Sequence, residues 1–226
     1  MKYFYSALIL ISISLLTGCS SENYTANYQV SLVHVERHEQ VEQQNNYQKL
    51  FSISDDPKYK FGFEDSLVRI LWFADSKQIL FQIENETDYT IKIPWDDAVY
   101  VDANGFNHRV IHSTIDYNEK ERPQPPSVII RRGLLEDSIF PSDYIKWMQP
   151  NNEASPSYWE AGSLFLDYGN SKGNNPGSYP TLAGFETAVK SNVGRFCQVM
   201  LPLHIGNIIC EYVFTFKIDS VKTDQK

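Results

Sequence analysis

A series of short apolar segments separated by turn-forming residues constrains the fold of this chain more than any other feature. Residues 67–73 and 79–84 each predict a strand, the second through its alternating pattern. Residues 98–101 and 106–112 predict a hairpin, and the Asn-Gly pair within 102–105 favours a type I′ turn between them. Strands that recur about every ten residues, with turns between them, are typical of an all-β sandwich or barrel.

The second half of the chain continues this pattern with longer loops. Residues 128–130, 138–140 and 144–147 predict short strands. Residues 181–191 space their apolar side chains at three and four positions, which favours one short helix. Residues 196–218 predict a terminal antiparallel hairpin of two long apolar strands.

Composition supports this fold class and limits the partners. The 14 tyrosines and 13 phenylalanines supply large side chains that favour strands and a sizeable core. The chain has a formal charge of −8, and removal of residues 1–18, which contain Lys2, leaves 19 basic against 28 acidic side chains, or −9. An acidic surface of this size argues against a nucleic-acid partner and against attachment to anionic lipid through basic residues.

Residues 78–112 carry a resemblance to a known domain type. An apolar strand ends in Asn-Glu-Thr at 85–87, a short strand follows at 91–93, and Asp-Ala-Asn-Gly occupies 102–105. This order resembles the immunoglobulin-like domains of secreted bacterial proteins. The resemblance implies an immunoglobulin-like antiparallel β-sandwich with long loops. It refers to architecture alone, because the Cys…Trp…Cys spacing of antibody domains is missing from the sequence.

The start of the chain reads as an export signal. Lys2 provides a positive charge, and residues 3–15 form an apolar run that is too short to span a bilayer. The next four residues, Leu-Thr-Gly-Cys at 16–19, resemble the lipobox of bacterial lipoproteins. That resemblance implies cleavage before Cys19, which then carries a thioether-linked diacylglycerol and an amide-linked acyl chain such as palmitate. Several acyl chains together give stable membrane anchoring.

The lipoprotein resemblance also implies boundaries and a location. Residues 1–18 are expected to be the signal peptide, 19–27 a small polar tether that carries the lipid, and 28–226 a single elaborated β-sandwich domain. Ser20 stands where enterobacterial lipoproteins that stay at the inner membrane have aspartate. The resemblance therefore implies the outer membrane, with the protein facing the periplasm.

Cys197 and Cys210 remain once Cys19 carries lipid, and export places them in an oxidising compartment. They lie in the two strands of the terminal hairpin and share its inward side in any register that pairs Val199 with the Cys210 face. Pairing of residue 199 with 208 would place the cysteines opposite each other and permit a disulfide. Other registers exceed the Cα separation of a disulfide and leave two buried thiols.

A serine-hydrolase pattern is present in the sequence but lacks its structural setting. Residues 169–173 match Gly-x-Ser-x-Gly, and Glu186 and His204 follow Ser171 in hydrolase order. That pattern acts at a sharp strand-to-helix turn of an α/β sheet, which this chain does not predict. We therefore expect no catalytic residues and no enzyme activity.

The sequence also gives little support for a metal site. Asp96, Asp97 and Asp102 could supply oxygen ligands to calcium, but the sixfold set that calcium requires is not visible. Two pairs of histidines are spaced four residues apart, which in a strand separates them by about 13 Å, too far to share an ion. We expect no metal site and no cofactor.

Aromatic residues near loops are the remaining candidates for recognition. We predict a binding surface at Trp147, Tyr158 and Trp159, since exposed aromatic rings stack on sugars or anchor protein interfaces. The leading interpretation is a non-catalytic, membrane-anchored envelope lipoprotein with a structural or protein-interaction role and another envelope protein as its partner. The alternative is an envelope module that binds a glycan or calcium, and a serine hydrolase is the third interpretation.

Overall fold

The computed structural model describes residues 22–39, 47–56, 58–150, 155–172 and 177–226, which form mostly antiparallel β-structure. This part of the chain contains fifteen strands and one α-helix. The first eight strands are β1 (Asn23–Glu39), β2 (Gln48–Ser52), β3 (Phe61–Asp65), β4 (Val68–Ala74), β5 (Ile79–Asn85), β6 (Ile91–Ile93), β7 (Val99–Val101) and β8 (Asn107–His112). The later elements are β9 (Ser127–Ile129), β10 (Leu134–Pro141), β11 (Ile145–Met148), β12 (Tyr158–Ala161), β13 (Tyr168–Asn170), α1 (Leu182–Lys190), β14 (Phe196–Ile205) and β15 (Ile208–Gln225).

Thirteen of these strands form one curled sheet in the order β13-β1-β15-β14-β7-β8-β10-β5-β4-β3-β2, with β6 paired to β14 and β9 to β6. The sheet folds over so that β3 and β4 pack against β15. The rings of Phe63 in β3 and Trp72 in β4 lie 5.9 Å and 4.7 Å from the ring of Phe214 in β15. β11 and β12 form a separate two-stranded sheet. The prediction of an all-β antiparallel sandwich with long loops and one short helix is confirmed.

Alternation along the strands explains how the core forms. In β4, Val68, Ile70, Trp72 and Ala74 are buried, and the residues between them are partly exposed. A period of two places alternate side chains on one face of a strand, so this face turns inward. Burial of each large apolar side chain contributes about 1.5–3 kcal/mol, which favours folding of the sheet onto itself.

The first strand begins earlier than the sequence indicates. Residues 23–27, expected to belong to the tether, are paired with β13 and β15, and Tyr24 and Ala26 are buried. The prediction of a tether over 19–27, and of a domain that starts after it, is therefore wrong for 23–27. The polar residues of this segment alternate with buried ones, and the strands that pair with it come from distant parts of the sequence.

A β-bulge interrupts the pairing of the first strand. The register of β1 with β15 shifts between Leu32 and His34. The shift leaves Val33 exposed and returns Val35 to the core. One extra residue therefore preserves the inward apolar face along a long strand.

The β7–β8 hairpin is confirmed, but its turn is not type I′. A type I′ turn needs positive φ at both central residues, whereas Gly105, at +87°, is the residue of this turn with positive φ. Asp102 holds the turn, because its Oδ1 accepts hydrogen bonds from the N–H groups of Asn104 and Phe106 at 2.8 and 2.9 Å. The side chain of Asp102 thus stabilises the turn that the Asn-Gly pair was expected to define.

The helix predicted within 181–191 is confirmed as α1. Oγ1 of Thr181 caps it by accepting a hydrogen bond from the N–H of Gly184 at 3.1 Å, and Phe185 is buried against the sheet. No helix in the described part of the chain is both long and apolar enough to cross a membrane. The predicted signal peptide and the predicted lipidation site Cys19 lie outside that part.

Candidate functional site

The three residues selected for recognition meet on the separate hairpin of β11 and β12. Trp147 pairs directly with Trp159, and Met148 pairs with Tyr158. The two indole rings meet edge to face, with 5.2 Å between centroids and 67° between planes. Directly paired residues share a face and successive residues alternate, so the hairpin has two faces. We name them the tryptophan face (Trp147 and Trp159) and the groove face (Lys146, Met148, Tyr158 and Glu160).

The hairpin displays its aromatic side chains unequally. Trp147 is 48% exposed and Tyr158 is 50% exposed. Trp159 is less exposed, and its Nε1–H donates a hydrogen bond to Oδ1 of Asn118 at 2.9 Å. The body of the protein therefore holds Trp159, whose ring supports the exposed ring of Trp147. Asn118 had no signal in the sequence that linked it to the hairpin.

A short 3₁₀ turn (Ser142–Tyr144) joins the hairpin to β10, and His108 of β8 holds this turn. Nδ1 of His108 lies 2.8 Å from Oδ2 of Asp143, and its ring meets that of Tyr144 edge to face at 5.0 Å. Burial, together with the carboxylates of Asp102 and Asp143, raises the pKa of Tyr144 to about 12. The Tyr144 hydroxyl is therefore neutral at physiological pH.

An open groove of about 780 Å³ runs between the groove face and Tyr168. Basic and acidic side chains are mixed along it. Asp167 is already engaged, because it accepts hydrogen bonds from Ser76 and Ser163 at 2.9 and 2.6 Å and lies 2.8 Å from Nζ of Lys77. The groove was not foreseen from the sequence, since Lys77, which also lines it, is distant along the chain from the hairpin.

The terminal hairpin does not place the two cysteines opposite each other. Cys197 pairs with Phe216, and Cys210 pairs with Leu203. The cysteines are therefore separated by roughly 20 Å along the strands, whereas a disulfide requires Cα atoms within about 7 Å. Both thiols are buried on the inward side, as predicted, and no disulfide joins them. Burial raises the pKa of the Cys197 thiol to about 12, so it is protonated and unreactive.

The residues of the hydrolase pattern are not brought together. Oγ of Ser171 accepts a hydrogen bond from the N–H of Glu22 at 2.9 Å. Glu186 pairs with Lys190 on the helix surface at 2.8 Å. Ser171 lies beside the C-terminal end of β15, whereas His204 lies beside its start. A nucleophile, base and orienting carboxylate cannot be assembled from these residues.

Two of the three carboxylates proposed for calcium, Asp96 and Asp102, are already used within the fold. Asp96 accepts hydrogen bonds from Nη2 of Arg109 at 2.7 Å and from the N–H of Gln124 at 3.0 Å. Asp102 holds the β7–β8 turn. Within the described ranges, no three His, Cys, Asp or Glu side chains gather in an arrangement that could hold a metal ion. The geometry does not favour calcium binding by these residues.

A buried histidine–carboxylate pair was missed by sequence reasoning. Nδ1 of His112 lies 2.9 Å from Oδ2 of Asp137, and the imidazole stacks on Trp95 with 4.5 Å between centroids. Burial alone would raise the pKa of Asp137. Hydrogen bonds from His112, Ser113 and Ser138 outweigh burial and hold that pKa below its ordinary value. The pair is packed inside the protein, which makes it a structural element.

Comparison with protein-family models, curated proteins and solved structures gives no match to this chain. The structure itself defines a class: an all-β antiparallel sandwich that displays a pair of tryptophans on a separate hairpin.

Proposed function

We propose that this chain is a non-catalytic lipoprotein of the bacterial envelope that binds another envelope protein through the tryptophan face. The observation that carries the proposal is that Asn118 fixes Trp159, which supports the half-exposed Trp147. Tryptophan is enriched among residues that dominate binding energy, and an anchor oriented before binding loses less conformational entropy. The separation of Ser171 from His204 supports the non-catalytic part of the proposal.

The membrane attachment in this proposal is the lipid on Cys19. The apolar run at 3–15 and the Leu-Thr-Gly-Cys sequence at 16–19 support it. The mature chain would carry −9, so electrostatic attraction to anionic lipid would not assist and the acyl chains would provide the attachment. Ser20 supports a position at the periplasmic face of the outer membrane.

A photo-crosslinking residue at Glu119, which is exposed next to Asn118, tests the partner in native membranes. We expect capture of one envelope protein, loss of that product with Trp147→Ala, and partial retention with Trp147→Phe, which keeps an aromatic ring. A crosslinker at Phe106, 67% exposed on the β7–β8 turn, is the matched control and should not capture that protein. Capture that survives Trp147→Ala, or recovery of lipid alone, contradicts the proposal.

The anchor is tested independently of the partner. Cys19→Ser should remove the lipid and release the protein from membranes, and mass spectrometry of the first mature peptide should show the acyl chains on Cys19 in the wild type. An unmodified Cys19 in the membrane-bound wild type would refute the lipoprotein assignment.

A further inference from the structure

The groove face of the hairpin lies at the end of the molecule where β1 starts. Tyr168, which lines the groove together with Met148, pairs with Thr25 of β1. Its hydroxyl donates a hydrogen bond to Oδ1 of Asn23 at 2.8 Å. The other end of the long β1–β15 ladder lies roughly 50 Å away, because each residue of a strand advances the chain by about 3.3 Å. The groove therefore opens beside the first residues of β1.

The proposed attachment point is close to this end. Glu22 is fixed to Ser171 by two hydrogen bonds of 2.9 Å: its N–H donates to Oγ, and its carbonyl accepts from the N–H of Ser171. Ser20 and Ser21 alone separate Glu22 from Cys19, so Cys19 lies within about 11 Å of Glu22. A headgroup layer is about 5–8 Å deep on each side of the hydrocarbon core. This step rests on the proposed lipidation of Cys19.

The exposed side chains at this end suit a membrane–water interface. Tyr158 and Tyr168 are about half exposed, and Met148 is 37% exposed. Tyrosine has an apolar ring and a polar tip, which explains its enrichment at the headgroup level. Lys146 can cover apolar surface with its methylene stem while its ammonium stays in water. Glu160, paired with Lys146, balances its charge and argues against selection of anionic lipid.

We infer that the groove face and Tyr168 form a second contact with the membrane, resting in the headgroup region of the leaflet that holds the Cys19 lipid. The occupant of this surface is the lipid interface, held by tyrosine and methionine side chains. The contact fixes the orientation of the protein on the membrane. The tryptophan face, on the other side of the hairpin, then stays clear of lipid and open to a protein partner.

Fluorophores on single introduced cysteines test this contact in the lipidated, full-length protein. Met148→Cys and Tyr168→Cys are the reporters. Tyr89→Cys is the matched control, because Tyr89 is 65% exposed and lies against Gly206 in the β14–β15 turn, at the far end of β15. The native thiols of β14 and β15 are buried and do not compete for the label, and the sulfur of a lipidated Cys19 is blocked.

The labelled proteins are reconstituted into vesicles of phosphatidylethanolamine and phosphatidylcholine that carry a spin-label quencher in the headgroup region. We expect a blue shift and loss of most fluorescence at positions 148 and 168, and neither change at position 89. Unchanged melting temperatures verify that the variants fold. Addition of an anionic lipid should not increase the quenching.

The outcomes separate this inference from the proposed function. Equal quenching at 148, 168 and 89, with lipid shown on Cys19 by mass spectrometry, overturns the membrane contact and leaves the lipoprotein proposal intact. A Cys19 without lipid overturns both. Quenching at 148 and 168 that requires anionic lipid overturns the contact by tyrosine and methionine.

Discussion

The four tryptophans lie in two regions of the molecule that differ in how deeply the indole rings are buried. Trp72 and Trp95 are completely buried in the sandwich, whereas Trp147 and Trp159 lie on the hairpin and Trp147 is half exposed. In the sandwich, an indole stabilises the fold by removing its surface from water. On the hairpin, the same side chain leaves part of that surface available for a partner. The comparison shows that burial, and not residue type, decides how far an aromatic side chain stabilises the fold.

The two buried tryptophans also differ from each other. Trp72 packs between Phe214 and Phe216, and its Nε1–H has no hydrogen-bond partner within the described residues. Nε1–H of Trp95 donates to Oγ of Ser127 at 2.9 Å. Trp72 therefore acts through apolar packing, while Trp95 also joins the polar network around it.

The largest expected effect contrasts one tryptophan from each region. Trp72→Ala should lower the free energy of unfolding by about 3–5 kcal/mol, because it opens a cavity in the core. Trp147→Ala should lower it by less than about 1 kcal/mol, because its ring is half exposed. Urea unfolding followed by circular dichroism measures both. Similar losses in the two variants would show that the hairpin belongs to the core.

A second prediction concerns the ionic contact inside the sandwich. Oδ2 of Asp65 lies 2.6 Å from Nη1 of Arg37 and accepts a hydrogen bond from the Tyr212 hydroxyl at 2.8 Å, and all three groups are buried. Asp65→Ala should cost about 3–5 kcal/mol, because the buried Arg37 guanidinium loses the Asp65 carboxylate. Glu84→Ala, at an exposed pair with Arg69, is the control and should cost about 1 kcal/mol or less. Equal costs would argue against a desolvated Asp65.

The third prediction is a pH dependence at Asp137. Its folded-state pKa lies below the ordinary value of about 3.9, so its contribution is complete above that value and is lost as the pH falls through the lowered pKa. Asp137→Asn should cost about 1.5–3 kcal/mol at neutral pH, the range for hydrogen bonds to a charged group. The free energy of unfolding, measured from neutral pH into acid, should fall more for the wild type than for the variant. A difference between the two proteins that stays constant into strong acid would disprove a lowered pKa of Asp137.

The fourth prediction, which has the smallest effect on stability apart from the control variants, concerns the hairpin. Asn118→Ala removes the acceptor for Nε1–H of Trp159 and should cost about 0.5–1.5 kcal/mol. Hydrogen exchange should become faster in β11 and β12, and amides of the core strand β4 should keep their protection. Crosslinking from Glu119 should weaken, because Trp147 loses its support. Faster exchange in β4 would mean that the hairpin and the core unfold together.

Local patterns predicted the strands whose alternation is strong. β4 and β5 were foreseen because their buried faces follow a period of two. β2 and β3 were not foreseen, because β2 is mostly exposed and β3 contains Gly62. The reason for a glycine at this position appears only in the tertiary structure, because a Cβ at Gly62 would lie 2.3 Å from the ring of Phe51 on the neighbouring strand. A close approach between two strands cannot be recognised from a short stretch of sequence.

The candidate site was foreseen in part. The sequence selected Trp147, Tyr158 and Trp159 as aromatic residues close to loops. Their direct pairing depends on the register of β11 with β12, and the support from Asn118 depends on a loop far away in the chain. Tyr168 was likewise placed beside the hairpin by pairing of β13 with β1. The contact with Asn118 and the pairing of β13 with β1 join segments whose distance along the chain hides their proximity.

The sequence by itself determined the all-β class, the short helix and the inward side shared by Cys197 and Cys210. Tertiary structure alone decided the register that separates the two cysteines. The turn at Gly206, with φ of +58°, places Ile205 opposite Ile208 and thereby sets every later pair of the ladder. Alternation specifies which face of a strand turns inward, but turn geometry and packing between distant strands specify which residues meet.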